Sequence, residues 1–334
     1  MAADIAEQPD VYADLLEPAS VQAISQVAAA IAERKPQHVV FTARGTSDHA
    51  ALYGSYLTEI RLNLAAGLAS PSAITVFGAR PDLSHALVVG VSQSGGSPDL
   101  TEVLKVARKS GALTLAVTNN PGSTLAQTAE LSLDVAAGHE RAVAATKTYT
   151  AELLTLLLLV EGIRAGGKVP ATKLKSLPAL ASEALSHGGA EEHAARYRFA
   201  ARLVTTGRGY AYPTAREAAL KLMETSYLPA LAFSGADLLH GPLAMTDPDV
   251  PVLAIVGAGP GGRSMQAVLD RLREQRADVV TVGPEGTLRV PKVDERLSPL
   301  LDILPLQQLA LALALARGED PDAPRGLNKV TATM

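Results

Sequence analysis

Ala86-Leu-Val-Val-Gly-Val-Ser-Gln-Ser-Gly-Gly-Ser-Pro-Asp99 decides how the rest of the chain is read. Its first six residues are apolar or small and predict a buried strand. Pro98 stands where the first residue of a helix belongs. Between them lies Ser92-Gln93-Ser94-Gly95-Gly96-Ser97. A strand, a Ser/Gly loop and a helix N-terminus make an anion cradle: hydroxyls and backbone amides converge there, with the positive end of the helix dipole behind them. Glycine lets the backbone approach a ligand closely. The loop contains no Lys and no G-x-x-x-x-G-K-[ST] pattern, which disfavours a nucleotide and suits a single phosphate monoester. Taken alone, the stretch is equally readable as an ordinary Ser/Gly turn.

Working outward, the same alternation recurs. A helical lead-in occupies 5–33. Strand 38–42 runs through Arg44-Gly45-Thr46-Ser47-Asp48 into a helix ending near Asn63, with Ser47 or Asp48 as its cap. A short strand is expected at 72–77, others at 113–118 and 131–135, with the turn Asn119-Asn120-Pro121-Gly122 between these two. The polar loop 138–147 feeds a helix through Ile163. After a Gly/Pro break at 165–170, a helical connector reaches Tyr197 and the pattern restarts: strand 202–206, Gly207-Arg208-Gly209, helix 213–227, strand 250–256, loop 257–262, helix 263–274 and strand 277–282. Arg44-Gly45 recurs as Arg208-Gly209, and both Gly45 to Ser92 and Gly209 to Val256 span 47 positions. The second loop has lost every Ser and Gln. These features predict an α/β chain of two tandem doubly wound parallel-sheet domains, a duplication whose first copy kept the anion site. The division is 1–170 for the lead-in and first domain, 171–319 for the connector and second domain, and 320–334 for an irregular tail.

Composition narrows the partners. Of 334 residues, 47% are hydrophobic and 19% charged, the net charge is −4, and no Lys/Arg cluster appears. Nucleic acid and anionic membrane are therefore unexpected partners, and local dipoles must hold any phosphate. There is no cysteine, hence no disulfide, thiolate metal site or Cys nucleophile. Residues 1–14 lack the apolar core of a signal peptide. The apolar run 153–160 is bracketed by Glu152 and Glu161 and is too short to span a bilayer. A cytoplasmic protein is expected.

Three features could carry chemistry. Glu217, Lys221 and Glu224 fall at i, i+4 and i+7 on one helix face; periodicity alone also permits a solvent-exposed ion-pair stripe. His240, beside Gly241-Pro242, is a lone histidine suited to taking and returning a proton near neutrality, or to a structural hydrogen bond. Lys329, in the irregular tail, is either exposed or an amine able to form a Schiff base with a sugar carbonyl.

In combination these pieces resemble the tandem sugar isomerase (SIS) domain family, as in the isomerase domain of glucosamine-6-phosphate synthase and, more closely, the isomerase-type glucosamine-6-phosphate deaminases. The resemblance is carried by Gly45-Thr46-Ser47, Ser92-Gln93-Ser94-Gly95, Ala144-Ala145-Thr146-Lys147, Glu217-x-x-x-Lys221-x-x-Glu224, His240-Gly241-Pro242 and Asn328-Lys329-Val330. It implies flavodoxin-like domains and a phosphate site at Ser47, Ser92, Gln93, Ser94 and Ser97. Gly45, Thr46, Val143 and Ala145 would line the sugar. Glu224 would move a proton between carbons 1 and 2, His240 would open the ring, and Lys329 would be the tail lysine over the site, with Lys221 and Glu217 as helpers. Gly96, Ala145 and Leu239 depart from the synthase pattern, which has an acid, a Ser and a Lys there. Without cysteine, glutamine-dependent synthesis is not expected of this polypeptide alone. The expected enzyme is a glucosamine-6-phosphate deaminase or isomerase with no metal and no cofactor, working as a homodimer in which His240 completes the partner's site and helix 153–160 offers the interface. A lyase or dehydratase acting on the N-acetylated sugar, a fructosamine-6-phosphate deglycase and a non-catalytic sugar-phosphate sensor are the alternatives.

Overall fold

Two five-stranded sheets, every strand parallel to its neighbours, organise the computed structural model, which describes residues 1–327. The first sheet comprises β1 (His38–Thr42), β2 (Ala65–Leu68), β3 (Ala86–Ser92), β4 (Leu113–Thr118) and β5 (Leu131–Asp134) in the order 2-1-3-4-5. The second comprises β6 (Leu203–Gly207), β7 (Ala230–Ser234), β8 (Pro251–Ile255), β9 (Asp278–Gly283) and β10 (Leu288–Arg289), in the order 7-6-8-9-10. Matched strand for strand, the two orders are identical, so the repeat read from spacing is a repeat of topology. This is the flavodoxin-like order, whose switch point lies between the first and third strands of each sheet.

The described chain forms two compact units. One contains Asp10–Glu140 and Lys147–Leu177 with the first sheet; the other contains Met1–Pro9, Arg141–Thr146 and Pro178–Leu327 with the second. In the first unit β3 is buried at all seven residues. A strand covered by helices on both faces has no use for polar alternation, which is why it reads as one apolar run. The helix Pro98–Lys109 turns Leu100, Val103, Leu104, Val106 and Ala107 inward and leaves Lys105, Arg108 and Lys109 in solvent. Each such buried Leu or Val contributes roughly 1.5–3 kcal/mol. The helix Thr46–Leu62 lies so close to β1 that a Cβ at Gly54 would come within 2.8 Å of Phe41.

Several expectations are corrected. Residues 72–77 are not a strand: Ser70 and Pro71 start the helix Pro71–Thr75, with Pro at its first position, where a missing N–H costs nothing. The strand on that edge is β2. The lead-in is three helices, Ala2–Ala6, Gln8–Leu15 and Pro18–Arg34. Gly45, not Ser47 or Asp48, is the N-cap of Thr46–Leu62, with φ +56°. The apolar run 153–160 sits in the helix Lys147–Arg164, buried from Lys147 through Gly162 against Thr46–Leu62 and Pro18–Arg34. It therefore presents no apolar face to a partner subunit. Among the described residues, Ser298–Ala316 is long and apolar enough to cross a membrane by composition. It is the core helix of the second unit, buried at Leu300, Leu301, Ile303, Leu304, Leu309 and Leu313 against Ala211–Ser226 and Ala190–Tyr197.

Candidate active site

At the switch point of the first sheet, the turn after β1 and the loop after β3 leave adjacent strands, paired in register from His38↔Ala86 to Thr42↔Gly90. The loop after β3 is braced from within. The Gly95 amide donates to Ser92 Oγ (3.1 Å) and the Gly96 amide to Ser94 Oγ (3.3 Å). Both hydroxyls act as acceptors in these bonds, so each keeps its own proton to give. Ser97 is the N-cap of Pro98–Lys109 and makes no side-chain cap bond, so its hydroxyl is not spent on the helix. Gln93 offers its carbonyl to the Asn119 amide (3.2 Å) and Thr118 Oγ1 (3.3 Å), while Asn120 Nδ2 holds the Ser94 carbonyl (3.3 Å). Gly95 is required here: its φ is +61°, and a Cβ would lie 2.1 Å from Ser123 Oγ. Thr46 opens the helix Thr46–Leu62. Ser47 differs from the other serines: its hydroxyl donates to Oε1 of the fully buried Glu152 at 2.8 Å.

The second unit holds the ionisable groups. Ala211–Ser226 carries Glu217, Lys221 and Glu224, and the stripe faces inward: Glu217 and Lys221 have no exposed surface, while the Glu224 side chain is 22% exposed. Lys221 Nζ lies 3.3 Å from Glu217 Oε1 and 2.5 Å from Glu224 Oε2. The exposed ion-pair alternative is thereby ruled out. Burying three charges is expensive and wins little stability, whereas one carboxylate held by a buried ammonium and open on one side suits proton transfer. His240 follows the short helix Gly235–Leu239, its ring exposed, with Gly241 beside it at φ +128°. Val143 is half-buried and Ala145 buried, in the segment Arg141–Thr146 that belongs to this unit. That segment is held by Asp4, which accepts from the Arg141 and Ala142 amides (3.2 and 3.1 Å), and by Gln307, which donates to the Thr146 carbonyl (3.3 Å). Lys329 lies outside the described residues. Among the described residues no cluster of three His, Asp or Glu side chains could hold a metal ion.

At the switch point of the second sheet the loop after β8 has its anion built in. Glu295 accepts from the Gly261 amide at 3.1 Å and the Gly262 amide at 2.7 Å. Cβ atoms at Gly259 and Gly261 would fall 2.2 and 2.7 Å from its carboxylate. Beneath it, Asp302 is fully buried. Desolvation, reinforced by the Glu295 charge and opposed by the Ser298 hydroxyl, pushes its pKa up to about 8.

Sequence reasoning missed Glu152, Asp99 and Glu295. An acid inside an otherwise apolar helix was the available signal for Glu152, since such a group must find a partner. Glu295 gave none, because its loop lies 33 and 34 residues earlier.

The chain matches the SIS domain family over residues 34–162 and 197–285. Over 98% of its length it aligns, at 36% identity, with glutamine–fructose-6-phosphate aminotransferase (isomerizing) of Thermococcus kodakarensis, and it spans 57% of that protein. A crystal structure assigned as a phosphosugar isomerase, from Silicibacter pomeroyi DSS-3, has 32% identity and a TM-score of 0.85, covering 96% of this chain and 98% of that one. Glucosamine-6-phosphate deaminase of Thermotoga maritima shares the fold at 23% identity, with a TM-score of 0.79 over 99% of each chain. With one matched segment around each sheet, the chain belongs to the SIS domain family.

Proposed function

We propose that this chain is a cytoplasmic enzyme that converts an amino-hexose 6-phosphate, glucosamine 6-phosphate by preference, into fructose 6-phosphate and ammonia. The observation that carries the reading is the buried Glu217–Lys221–Glu224 trio, of which only Glu224 reaches solvent. The first unit's loop, rich in hydroxyls with protons to give, supplies a binding end for the phosphate. His240 opens the sugar ring. Glu224 takes the proton from carbon 2 of the open aldehyde, leaving an enolamine, and returns it to carbon 1, leaving an imine at carbon 2. Water adds to that imine, the carbon–nitrogen bond breaks, and ammonia departs with the ketose as the other product. Lys221 holds Glu224 in place from inside the helix, and Glu217 holds Lys221.

Incubating the pure chain with glucosamine 6-phosphate should release ammonia and fructose 6-phosphate in equal amounts. The N-acetylated sugar should give neither ammonia nor an ultraviolet-absorbing unsaturated product. Absorbance rising with the acetylated substrate instead would assign the site to elimination. We further infer a homodimer in which the exposed His240 completes the partner's site. Light scattering should give twice the chain mass, and a fully active monomer would reject the dimer.

A further inference from the structure

We propose that Arg44 reads the anionic end of the substrate, as a specificity residue built beside the phosphate loop; the assignment rests on the phosphosugar reading above. The loop itself contains no cation. Arg44 stands in the turn after β1, next to the loop after β3 in the sheet order. Its Nε and Nη2 both reach Oδ2 of Asp99, at 2.9 and 2.8 Å. Asp99 is the second residue of the helix that follows the phosphate loop, and its side chain is 2% exposed; that of Arg44 is 45% exposed.

Two consequences follow. A buried carboxylate in the first turn sets negative charge at the helix end meant for an anion, and the guanidinium offsets it. Guanidinium also has five N–H donors in a rigid plane, and Asp99 takes two. The other three have no partner among the described residues, on a group fixed by its buried anchor and open to solvent. A fork held in that way matches the oxygens of a phosphate monoester.

The duplicated half supplies an internal control. Arg208-Gly209 repeats Arg44-Gly45, and at the same spacing the counterpart of Asp99 is Arg263. The clamp is thus absent where Glu295 fills the loop, and present where the serines remain. Clamp and open loop go together.

Steady-state kinetics on glucosamine 6-phosphate, with inorganic phosphate as competitive inhibitor, test the assignment on the full chain. Arg44→Gln should raise KM for the sugar phosphate and the inhibition constant for phosphate about 10- to 100-fold, with kcat changed less than about threefold. Arg44→Lys, which keeps the charge and loses the fork, should fall between. Arg44→Gln with Asp99→Asn removes both charges, so it should recover any thermal stability the single variant loses while KM stays high. A KM within about twofold of wild type in Arg44→Gln, or a double variant whose KM returns to normal, would show that Arg44 only neutralises Asp99. A wild-type chain that neither turns over the sugar phosphate nor is inhibited by phosphate overturns the functional reading and this assignment with it.

Discussion

The loops after β3 and β8 occupy the same place in two copies of one fold, yet they treat negative charge in opposite ways. The first carries three serines and a glutamine, and its Gly95 and Gly96 amides donate to its own Ser92 and Ser94 hydroxyls. The second is almost all glycine, and its amides hold Glu295. Gene duplication left two cradles. One is the ligand site of the function proposed above; the other is closed by a residue of the chain, in the unit that carries Glu217, Lys221 and Glu224. A cradle thus need not be lost by destroying its geometry. Supplying the anion internally is enough, because the amides are satisfied either way.

The sharpest way to break this division of labour is at Glu224. Glu224→Gln keeps the shape and removes the basicity, so kcat should fall at least about 100-fold. Binding of the sugar phosphate should survive, since the phosphate loop is in the other unit. Wild-type incorporation of solvent deuterium at carbon 2 in this variant would hand the base role to another group. Stability should change far less than kcat, because the buried Lys221 keeps Glu217 as its counter-ion.

Ser94→Ala probes the first loop. It removes one hydroxyl able to donate to the phosphate, so KM should rise about tenfold with kcat nearly constant. Unchanged kinetics would leave the loop a turn and nothing more.

Glu295→Ala reverses the second loop. With two amides left unsatisfied, the variant should lose about 1–3 kcal/mol of stability. Millimolar phosphate should restore part of its thermal midpoint beyond any shift seen in wild type. If phosphate raises both midpoints equally, the second loop is not a latent anion site.

The last test concerns pH and leaves the sugar chemistry aside. Asp302 has a folded pKa raised from 3.8 to about 8, so between those values the folded chain binds more protons than the unfolded one. Its contribution to stability is therefore fully present at low pH and declines as pH rises toward 8, by at most about 1.4 kcal/mol per pH unit. Asp302→Asn should flatten that slope in denaturant titrations at pH 5, 6.5 and 8. An unchanged slope would place the titration elsewhere.

What the sequence disclosed and withheld follows from which forces are local. β3 was legible because burial on both faces writes a continuous apolar run, and the doubling was legible because Arg-Gly and its spacing were preserved. β2 and β7 were missed for one reason: each is the edge strand beside the first strand of its sheet, Ala65–Leu68 and Ala230–Ser234, and neither is rich in β-branched residues. The β-branched stretch at 72–77 drew the expectation instead, although Pro71 made it a helix start. For the site, periodicity placed Glu217, Lys221 and Glu224 on one face but could not say which way that face turned. Burial of Lys221 is decided by the elements packed on it, Ser298–Ala316 among them. The Arg44–Asp99 and Ser47–Glu152 pairs join residues 55 and 105 positions apart, beyond any motif window.

The Ser47–Glu152 bond has a consequence in proton counting. A hydroxyl owns a single proton, and Ser47 has already committed it to a carboxylate with no access to water. An anion arriving there meets a hydroxyl oxygen presenting lone pairs, unless Glu152 first takes up a proton and releases Ser47 to point outward. Were the proposed phosphate to bind at this position, proton uptake at Glu152 would be one way to free that hydroxyl. Calorimetric titrations in buffers of different ionisation enthalpy would register that proton as a change in apparent heat, and replacing Glu152 by Gln would abolish it. Heats that do not vary with the buffer would show that Ser47 leaves Glu152 without a proton changing hands.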